Sequence, residues 1–274
     1  MRRIARLARC FWHGPSRAEQ VLGRVAALPE ATASELLDGS PALVLAPHPD
    51  DESLGCGGLI AAATKVGIPI HVVVVTDGAG GRHAPRDAPA LIRRRRWETV
   101  AAAAILGVPA ARLHFWSIPD GSASRRSADR RRFGNLAGDL ARQAGARTIL
   151  ATWEFDTHPD HVATFDYARH AARQTGAALL AYPVWALMLP DRTLMPALYP
   201  VGSSIRLGCL LEQKRRAVLQ HESQIAALNR LGSPAFGLND HHLGRMLTGT
   251  ESYIACNAVA RHRARNLKSG RVSP

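Results

Sequence analysis

Short apolar runs alternate with helical patterns along most of the chain. The runs are rich in Val, Ile, Leu and Ala and predict buried strands at 41–47, 71–78, 112–116, 147–153 and 178–184. Between them, the spacing of apolar and small residues predicts helices at 53–66, 90–106, 129–144 and 159–174. Strands that alternate with helices are typical of parallel strands joined by crossover helices. The pattern predicts an α/β fold with a Rossmann-like, doubly wound, mostly parallel sheet flanked by helices.

The two ends of the chain differ from this central pattern. Ile4, Leu7 and Phe11 share one helical face within residues 1–38, which we interpret as a helical N-terminal arm. Such an arm could make weak contact with a membrane surface or pack on the domain, and we favour packing. Residues 261–274 are polar and basic and predict a disordered tail.

The segment before the tail is less regular than the centre of the chain. It predicts a long helix at 211–230, a loop at 232–245 and a last strand at 252–260. Neither an internal repeat nor a low-complexity linker divides the chain. We therefore expect one domain over residues 39–260.

Composition limits the class of protein. The chain has 274 residues, of which 46% are hydrophobic, so it is long and apolar enough for one large core. It lacks the ~18–20 uninterrupted apolar residues of a membrane span, and its N-terminus lacks the apolar stretch of a secretory signal. The cysteines are too scattered for a disulfide framework. These features favour a cytoplasmic protein and leave the oligomeric state open.

The formal net charge is +13, and the excess is mostly arginine. Arginines concentrate at 2–9, 93–96 and 125–132 and in the tail. Such charge could attract nucleic acid, anionic lipid or a phosphorylated substrate, but we favour solvated helix faces of a basic protein. The sequence contains no recognisable nucleic-acid module, and its aromatic residues are not interleaved with the basic runs, so we expect no nucleic-acid partner.

Two motifs follow predicted strands and carry candidate chemistry. His48-Pro49-Asp50-Asp51-Glu52 comes directly after the first strand, and His158-Pro159-Asp160-His161 comes shortly after the fourth. Both lie where an α/β sheet builds its active site. A catalytic zinc site uses three protein ligands, typically histidine and carboxylate, and keeps one position open. His48, Asp51 and His161 supply such a set for Zn²⁺, and another divalent metal would also suit these ligands.

Two groups then remain beside the metal. Asp50 is free to act as the general base for a water molecule, and His158 could stabilise a developing oxyanion. Either motif alone could be a turn or a helix cap, but gathering so many acidic and imidazole groups would be costly without a metal or a substrate. The set therefore indicates a metal-dependent hydrolase.

At these motifs the sequence resembles the LmbE-like, or PIG-L, family of zinc N-acetylglucosaminyl deacetylases. The motif at 48–52 matches the family's [AP]HPDDE signature, and 158–161 matches its HPDH signature. The likeness extends to further segments across about residues 40–225: Thr76-Asp77-Gly78, Arg95-x-x-Glu98, Pro119-Asp120-Gly121, Tyr182-Pro183-Val184-Trp185, Lys214 and His221-x-Ser223-Gln224.

The resemblance implies an LmbE-like fold, the same three ligands and the same base. It also implies that His158 assists the oxyanion and that Arg95 and Asp120 hold sugar hydroxyls. Some members carry a tyrosine two residues before HPDH that helps to stabilise the oxyanion, whereas this chain has Asp156 there.

Three functions follow as hypotheses. The first is a zinc-dependent hydrolase that removes the N-acetyl group of an N-acetylglucosamine-type sugar or sugar conjugate, a small-molecule substrate. The second is a metal-dependent hydrolase of another amide or ester in secondary metabolism, which the basic surface and Asp156 motivate. The third is a basic protein that binds nucleic acid or an anionic membrane and retains a vestigial metal site.

Overall fold

The computed structural model describes residues 14–80, 88–225 and 238–268. The strands are β1 (Ser16–Arg17), β2 (Ala42–Ala46), β3 (Ile70–Thr76), β4 (Leu113–Ile118), β5 (Thr148–Thr152), β6 (Ala178–Tyr182), β7 (Leu194–Met195), β8 (Gly202–Arg206) and β9 (Thr250–Ala255). The α-helices are α1 (Ala18–Ala26), α2 (Ala33–Leu37), α3 (Asp51–Lys65), α4 (Ala88–Ile105), α5 (Ser127–Gln143), α6 (Pro159–Thr175), α7 (Leu210–Val218), α8 (Asp240–Met246) and α9 (Ala258–Lys268).

The main sheet has seven strands in the order β4-β3-β2-β5-β6-β9-β8. Strand β2 lies parallel to β3 and β5, and the β3–β4 and β5–β6 pairs are also parallel. Strand β9 runs antiparallel to both β6 and β8. The doubly wound, mostly parallel sheet is confirmed. Because the chain builds outward from β2 to β4 and then returns to β5, a crevice forms beyond the C-terminal ends of β2 and β5.

Helices cover both faces of the sheet because strand side chains alternate between them. Val44 of β2 packs in the apolar cluster that includes residues of α2, α3 and α7. Its neighbours Leu43 and Leu45 pack in the opposite cluster, with residues of α1, α5 and α6. Strands β2 and β5 are buried along their whole length, so the residues that follow them start from a rigid base.

The described part of the N-terminal arm belongs to the domain. Ala18, Val21 and Val25 of α1 are buried in the cluster with α5 and α6, since their spacing places them on one helical face. The buried face of α1 therefore belongs to the same core, although the sequence predicts a domain that starts at residue 39. The apolar face that we expected at Ile4, Leu7 and Phe11 lies outside the described residues.

The C-terminal part differs from the sequence prediction. Helix α8 occupies part of the segment 232–245 for which we expected a loop, and the Asn239 side chain accepts the His242 N–H to cap its first turn. The expectation of a disordered tail is wrong for residues 261–268, which belong to α9. Ala260 and Ala264 of that helix are buried, so tertiary burial orders a segment that its polar composition did not favour.

The predicted helix at 211–230 is shorter than expected where the structure describes it. Helix α7 ends at Val218, and residues 222–224 form a turn. Within the described ranges, no helix is both long and apolar enough to cross a membrane.

Candidate metal centre and active site

The two histidine motifs meet at the crevice between β2 and β5. His48 follows β2, Asp51 is the first residue of α3, and His161 lies in the first turn of α6. The Asp51 Oδ2 atom is 3.1 Å from His48 Nδ1 and 3.2 Å from His161 Nε2, and these two nitrogens are 3.3 Å apart. All three side chains are buried. The fold thus brings together the three residues that the sequence predicts as ligands.

The spacing of these three atoms fits a tetrahedral metal ion. Zinc bonds of about 2.0–2.1 Å in tetrahedral geometry separate the donor atoms by about 3.3 Å. Two imidazole nitrogens and one carboxylate oxygen are also donors that zinc favours. Nitrogens of His48, His158 and His161 also lie within 4.8 Å of one another, so His158 is a further possible ligand.

The opposite nitrogen of each histidine contacts a carboxylate. His48 Nε2 lies 3.2 Å from Asp160 Oδ2 and 3.2 Å from Asp120 Oδ1. His161 Nδ1 lies 2.8 Å from Asp156 Oδ2. Ligand histidines in metal proteins usually donate their second N–H to a carboxylate in this way, which fixes the tautomer and the ring orientation.

A second group of donor atoms, from His48, Asp120, His158 and Asp160, also lies within 4.8 Å. The Asp160 carboxylate already accepts the N–H groups of Gly121 and Ala123, at 2.7 and 3.0 Å. Because the Asp160 carboxylate already accepts these two hydrogen bonds, it is less available to a metal ion. We therefore favour His48, Asp51 and His161 as the metal-binding set.

Asp160 and Asp156 contact the two histidines of the proposed metal-binding set, and the sequence motifs assigned them no role. The Asp156 carboxylate accepts the backbone N–H groups of Val184, Trp185 and Ala186 in addition to facing His161. An ionised carboxylate accepts hydrogen bonds and does not donate them, so Asp156 can accept the His161 Nδ1–H and orient that ring. The spacing of five residues between Asp156 and His161 was a signal that could have indicated this pairing.

The carboxylates stabilise positive charge at the histidines. Burial lowers the pKa of His48, but hydrogen bonds to Asp120, Asp160 and Asp51 outweigh burial and hold that pKa well above its ordinary value. Burial also lowers the pKa of His161, but the charge of Asp51 and the hydrogen bond to Asp156 outweigh burial and raise that pKa to about 9. A site that favours a charged imidazole has the electrostatic potential that also favours a bound cation.

Asp50 has a strained backbone between the two ligands of its motif. Its φ is 140° and its ψ is −26°, a region that non-glycine residues rarely adopt. Its side chain is buried, and within the described part of the chain its carboxylate accepts no hydrogen bond. Burial, followed by repulsion from Asp51, raises the pKa of Asp50 to about 7. Strain of this kind is typical of functional sites.

His158 caps α6 and presents one nitrogen to the crevice. Its Nδ1 accepts the Asp160 N–H at 3.2 Å, so the neutral ring carries its proton on Nε2. Burial, and then the charge of His48, lowers the pKa of His158, which favours that neutral form. The ring lies 4.6 Å from the His48 ring and 6.0 Å from the Trp185 ring, measured between centroids.

Arg95 and Asp120 lie at the same end of the sheet. The Arg95 guanidinium donates to the Gly78 carbonyl oxygen and interacts electrostatically with Asp50 and Asp120. The Asp120 carboxylate contacts His48 and accepts the Gly80 N–H at 3.1 Å. Both residues are therefore near the candidate base and ligands, and their contacts with a substrate stay predictions.

A groove of about 690 Å³ lies between the loop that follows β4 and the start of α6. The loop 121–126 and the first turn of α6, with Pro159 and Val162, form its walls. The Tyr167 hydroxyl bonds both the N–H and the carbonyl oxygen of Ser124, which fixes this loop against α6. The described lining includes none of the proposed ligands, but Pro159 and Val162 directly follow His158 and His161 in the chain.

Comparisons with known proteins identify the family of this chain. The model of the GlcNAc-PI de-N-acetylase (PIG-L) family matches residues 43–172, which include both histidine motifs. The 2'-N-acetylparomamine deacetylase of Streptomyces fradiae is 30% identical over 224 residues, which span 72% of this chain and 77% of that protein.

Solved structures share the fold. The A40926 pseudoaglycone deacetylase Dbv21 superposes with a TM-score of 0.57 at 20% identity, over 78% of this chain and 96% of that chain. The 4-carboxy-2-hydroxymuconate hydratase GalB of Pseudomonas putida KT2440 superposes with a TM-score of 0.54 at 19% identity, over 80% of this chain and 96% of that chain. Because a deacetylase and a hydratase share this fold, the reaction must be argued from the site.

Proposed function

This chain belongs to the GlcNAc-PI de-N-acetylase (PIG-L) family, and we propose that it is a metal-dependent hydrolase that removes the N-acetyl group from an N-acetylglucosamine-type sugar or sugar conjugate. The observation that carries the proposal is the triangle of His48, Asp51 and His161 donor atoms, with Asp50 and His158 beside it. The acetylated aminoglycoside in the name of the Streptomyces fradiae relative supports a sugar amide as the substrate class.

His48, Asp51 and His161 would hold the metal, for which zinc is our first choice from the donor set. When bound, a divalent ion supplies Lewis acidity, which polarises the amide carbonyl and lowers the pKa of a water molecule to about 7. Asp156 and Asp160 keep the two imidazoles oriented through their other nitrogens.

The neighbouring residues then move the protons. The Asp50 carboxylate accepts a proton from the attacking water, whose oxygen bonds to the amide carbon. The His158 Nε2–H donates to the oxygen that becomes negative in the tetrahedral intermediate. As the carbon–nitrogen bond breaks, the leaving nitrogen takes the proton from Asp50. The acetic acid formed then loses its proton to the amine, so water and the amide together yield acetate and the protonated amine.

The residues around this centre would bind the sugar. Arg95 and Asp120 lie close to Asp50 and His48, where they can contact hydroxyl groups of the acetylated ring. Trp185 stands beside His158 and offers an aromatic face on which a sugar ring can stack. The groove at 121–126 would take the part of a conjugate beyond that ring.

Metal analysis of the purified protein tests the metal-binding set. We expect about one divalent ion per chain, which His48→Ala and His161→Ala each lose. His262→Ala is the matched control, because His262 is exposed on α9, whose Arg263 contacts Thr148 at the other end of β5. Full metal occupancy in both ligand variants would refute this assignment.

Acetate release tests the reaction. The wild-type protein would be incubated with N-acetylglucosamine, N-acetylglucosaminides and N-acetylated aminoglycosides, and with phosphoesters and other amides as alternatives. We expect loss of one acetyl group from at least one sugar, detected as a mass shift. Hydrolysis confined to phosphoesters or to amides that carry no sugar would favour the second hypothesis instead.

A further inference from the structure

The peptide unit between Pro49 and Asp50 is held on both sides. Its carbonyl oxygen, on Pro49, accepts a hydrogen bond from Gln224 Nε2. Its N–H, on Asp50, donates to Glu52 Oε2 at 3.2 Å. Because a peptide unit is planar, fixing its oxygen and its N–H fixes its orientation. That orientation sets the φ of Asp50, which is the strained value of 140°.

A buried pair fixes the carboxylate that receives the Asp50 N–H. The other oxygen of Glu52, Oε1, faces His221 Nε2 at 3.2 Å and accepts the Ser53 hydroxyl at 2.9 Å. Glu52 and His221 are both 0% exposed, so no water competes for these contacts. The position of Glu52 therefore depends on a residue far along the chain.

The segment that carries His221 and Gln224 is itself anchored to α4. Ser223 donates its backbone N–H to Glu98 Oε1 at 2.9 Å and its hydroxyl to Glu98 Oε2 at 2.6 Å. A turn fixed in this way presents the Gln224 amide and the His221 ring to the Asp50 motif from one rigid base.

We propose that Gln224, Glu52 and His221 are positioning residues that hold the strained Pro49–Asp50 peptide and thereby aim the Asp50 carboxylate at the reacting water. The inference rests on the proposed role of Asp50 as the general base. Strain of this size persists only when the surrounding contacts determine it, and these three side chains supply those contacts. None of them contacts the substrate in this scheme, so they act through Asp50.

The first test replaces Gln224 by an apolar residue of similar length. In Gln224→Met, we expect kcat to fall about 10²-fold, as misplacement of a reacting group by about 1 Å does, with KM changed less than about 3-fold. Metal content should stay at the wild-type value. The control is Gln213→Met, which also removes a glutamine bond to a backbone carbonyl (Ile105, 2.7 Å) but lies away from Asp50, and should keep the wild-type kcat. A wild-type kcat in Gln224→Met would overturn the inference.

A double-mutant cycle separates positioning from general support of the fold. In an Asp50→Ala background no carboxylate remains to be aimed, so adding Gln224→Met should lower the residual rate less than about 2-fold. An equal loss of rate in both backgrounds would show that Gln224 acts on something other than Asp50. If Gln224→Met does not fold, Gln224→Glu removes the same donor while keeping the shape of the side chain.

A crystal structure of the Gln224 variant tests the inference without any substrate. We expect the Pro49–Asp50 peptide to turn and φ of Asp50 to leave the region near +140°; an unchanged φ would overturn the inference whatever the rates. If the wild-type protein releases no acetate from any sugar, the proposed function fails, while this structural measurement still decides whether Gln224 holds the strained peptide.

Discussion

Asp50 differs from its neighbours because its carboxylate accepts no hydrogen bond from any residue that the structure describes. His48 and Asp51 contact each other, and Glu52 bonds the Asp50 N–H and His221. The Asp50 side chain is buried beside these groups with a strained backbone, which places a proton acceptor next to the metal-binding set. In the proposed scheme, successive positions of the motif therefore have separate roles in metal binding, proton transfer and positioning.

Replacing Asp50 tests this division. Asp50→Asn keeps the shape of the side chain but removes the proton acceptor, so we expect kcat to fall about 10²–10⁴-fold. Because Asp50 is not among the proposed ligands, metal content should stay at the wild-type value by metal analysis. Asp139→Asn, an exposed carboxylate on α5, is the control and should leave both quantities unchanged. Loss of the metal together with activity would show that Asp50 is a ligand.

At the scale of elements, helix α3 must approach β6 closely to place Asp51 at the end of β2. Gly55 permits this approach, since a Cβ atom there would lie 2.2 Å from the ring of Tyr182. The Tyr182 ring is fully buried, and its hydroxyl donates to the Leu45 carbonyl oxygen at 2.9 Å, so it has little room to move. Gly55 therefore permits the close packing of α3 against β6.

A pair of glycine substitutions tests the close packing. Gly55→Ala should lower the free energy of unfolding by about 1–3 kcal/mol, because the new methyl group overpacks the contact with Tyr182. Gly23→Ala on α1 is the matched control: nothing lies within 4 Å of its Cβ position, and alanine should raise stability by about 0.5–1 kcal/mol. Urea unfolding measures both. Equal stability of the two variants would contradict the packing argument.

The kink in α3 at Cys56 depends on a buried carboxylate. Glu251 on β9 accepts the N–H groups of Gly58 and Leu59, at 2.7 and 2.8 Å, which follow the non-helical Cys56. The same carboxylate pairs with the buried ammonium of Lys214 at 2.8 Å. The antiparallel end of the sheet therefore stabilises the helix that carries Asp51.

Neutralising this carboxylate should be strongly destabilising. Glu251→Gln leaves the buried Lys214 charge without its partner, and we expect a loss of about 3–5 kcal/mol in the free energy of unfolding. Glu212→Gln breaks an exposed pair with Arg215 on α7 and should change stability by less than about 0.5 kcal/mol. If thermal and urea unfolding gave the same small change for both variants, the buried pair would not support α3.

At the scale of the whole molecule, part of the arginine excess contributes to the fold. Arg263 of α9 donates to Thr148 Oγ1 at 3.0 Å and pairs with Asp38 at 3.2 Å, so it ties the C-terminal helix to β5 and to the end of α2. The side chain is 19% exposed, in contrast to the exposed Arg265 two residues on. Binding of nucleic acid or of an anionic membrane by the other arginines stays the alternative hypothesis that we do not favour.

These two arginines form a matched pair for measurement. Arg263→Ala should lower the free energy of unfolding by about 1 kcal/mol, since it removes two partly exposed polar contacts between elements. Arg265→Ala should change it by less than about 0.5 kcal/mol. Circular dichroism during urea unfolding measures the difference, and an equal loss in both variants would show that net charge rather than the Arg263 contacts sets the effect.

The sequence by itself determined the alternating strands and helices, the two histidine motifs and the residue types that a metal needs. These features depend on neighbours along the chain, because side-chain period and motif spacing are local properties. The alternation of strands and helices also predicted that both motifs follow parallel strands. Because the C-terminal ends of parallel strands lie at one edge of a sheet, the two motifs were expected to meet there. Local polarity misled the prediction for α9, whose buried face depends on Ala260 and Ala264 meeting the rest of the fold.

Only the tertiary structure decided which groups surround the ligands. The contacts of His48 with Asp120 and Asp160, and of Glu52 with His221, join residues that are far apart in the sequence. Such pairs leave no periodic pattern in the sequence, because the order of the strands and the packing of separate helices bring the two residues together. The strained φ of Asp50 also depends on tertiary contacts. An aspartate in a short peptide would rarely adopt this φ, so contacts with the surrounding residues must hold it.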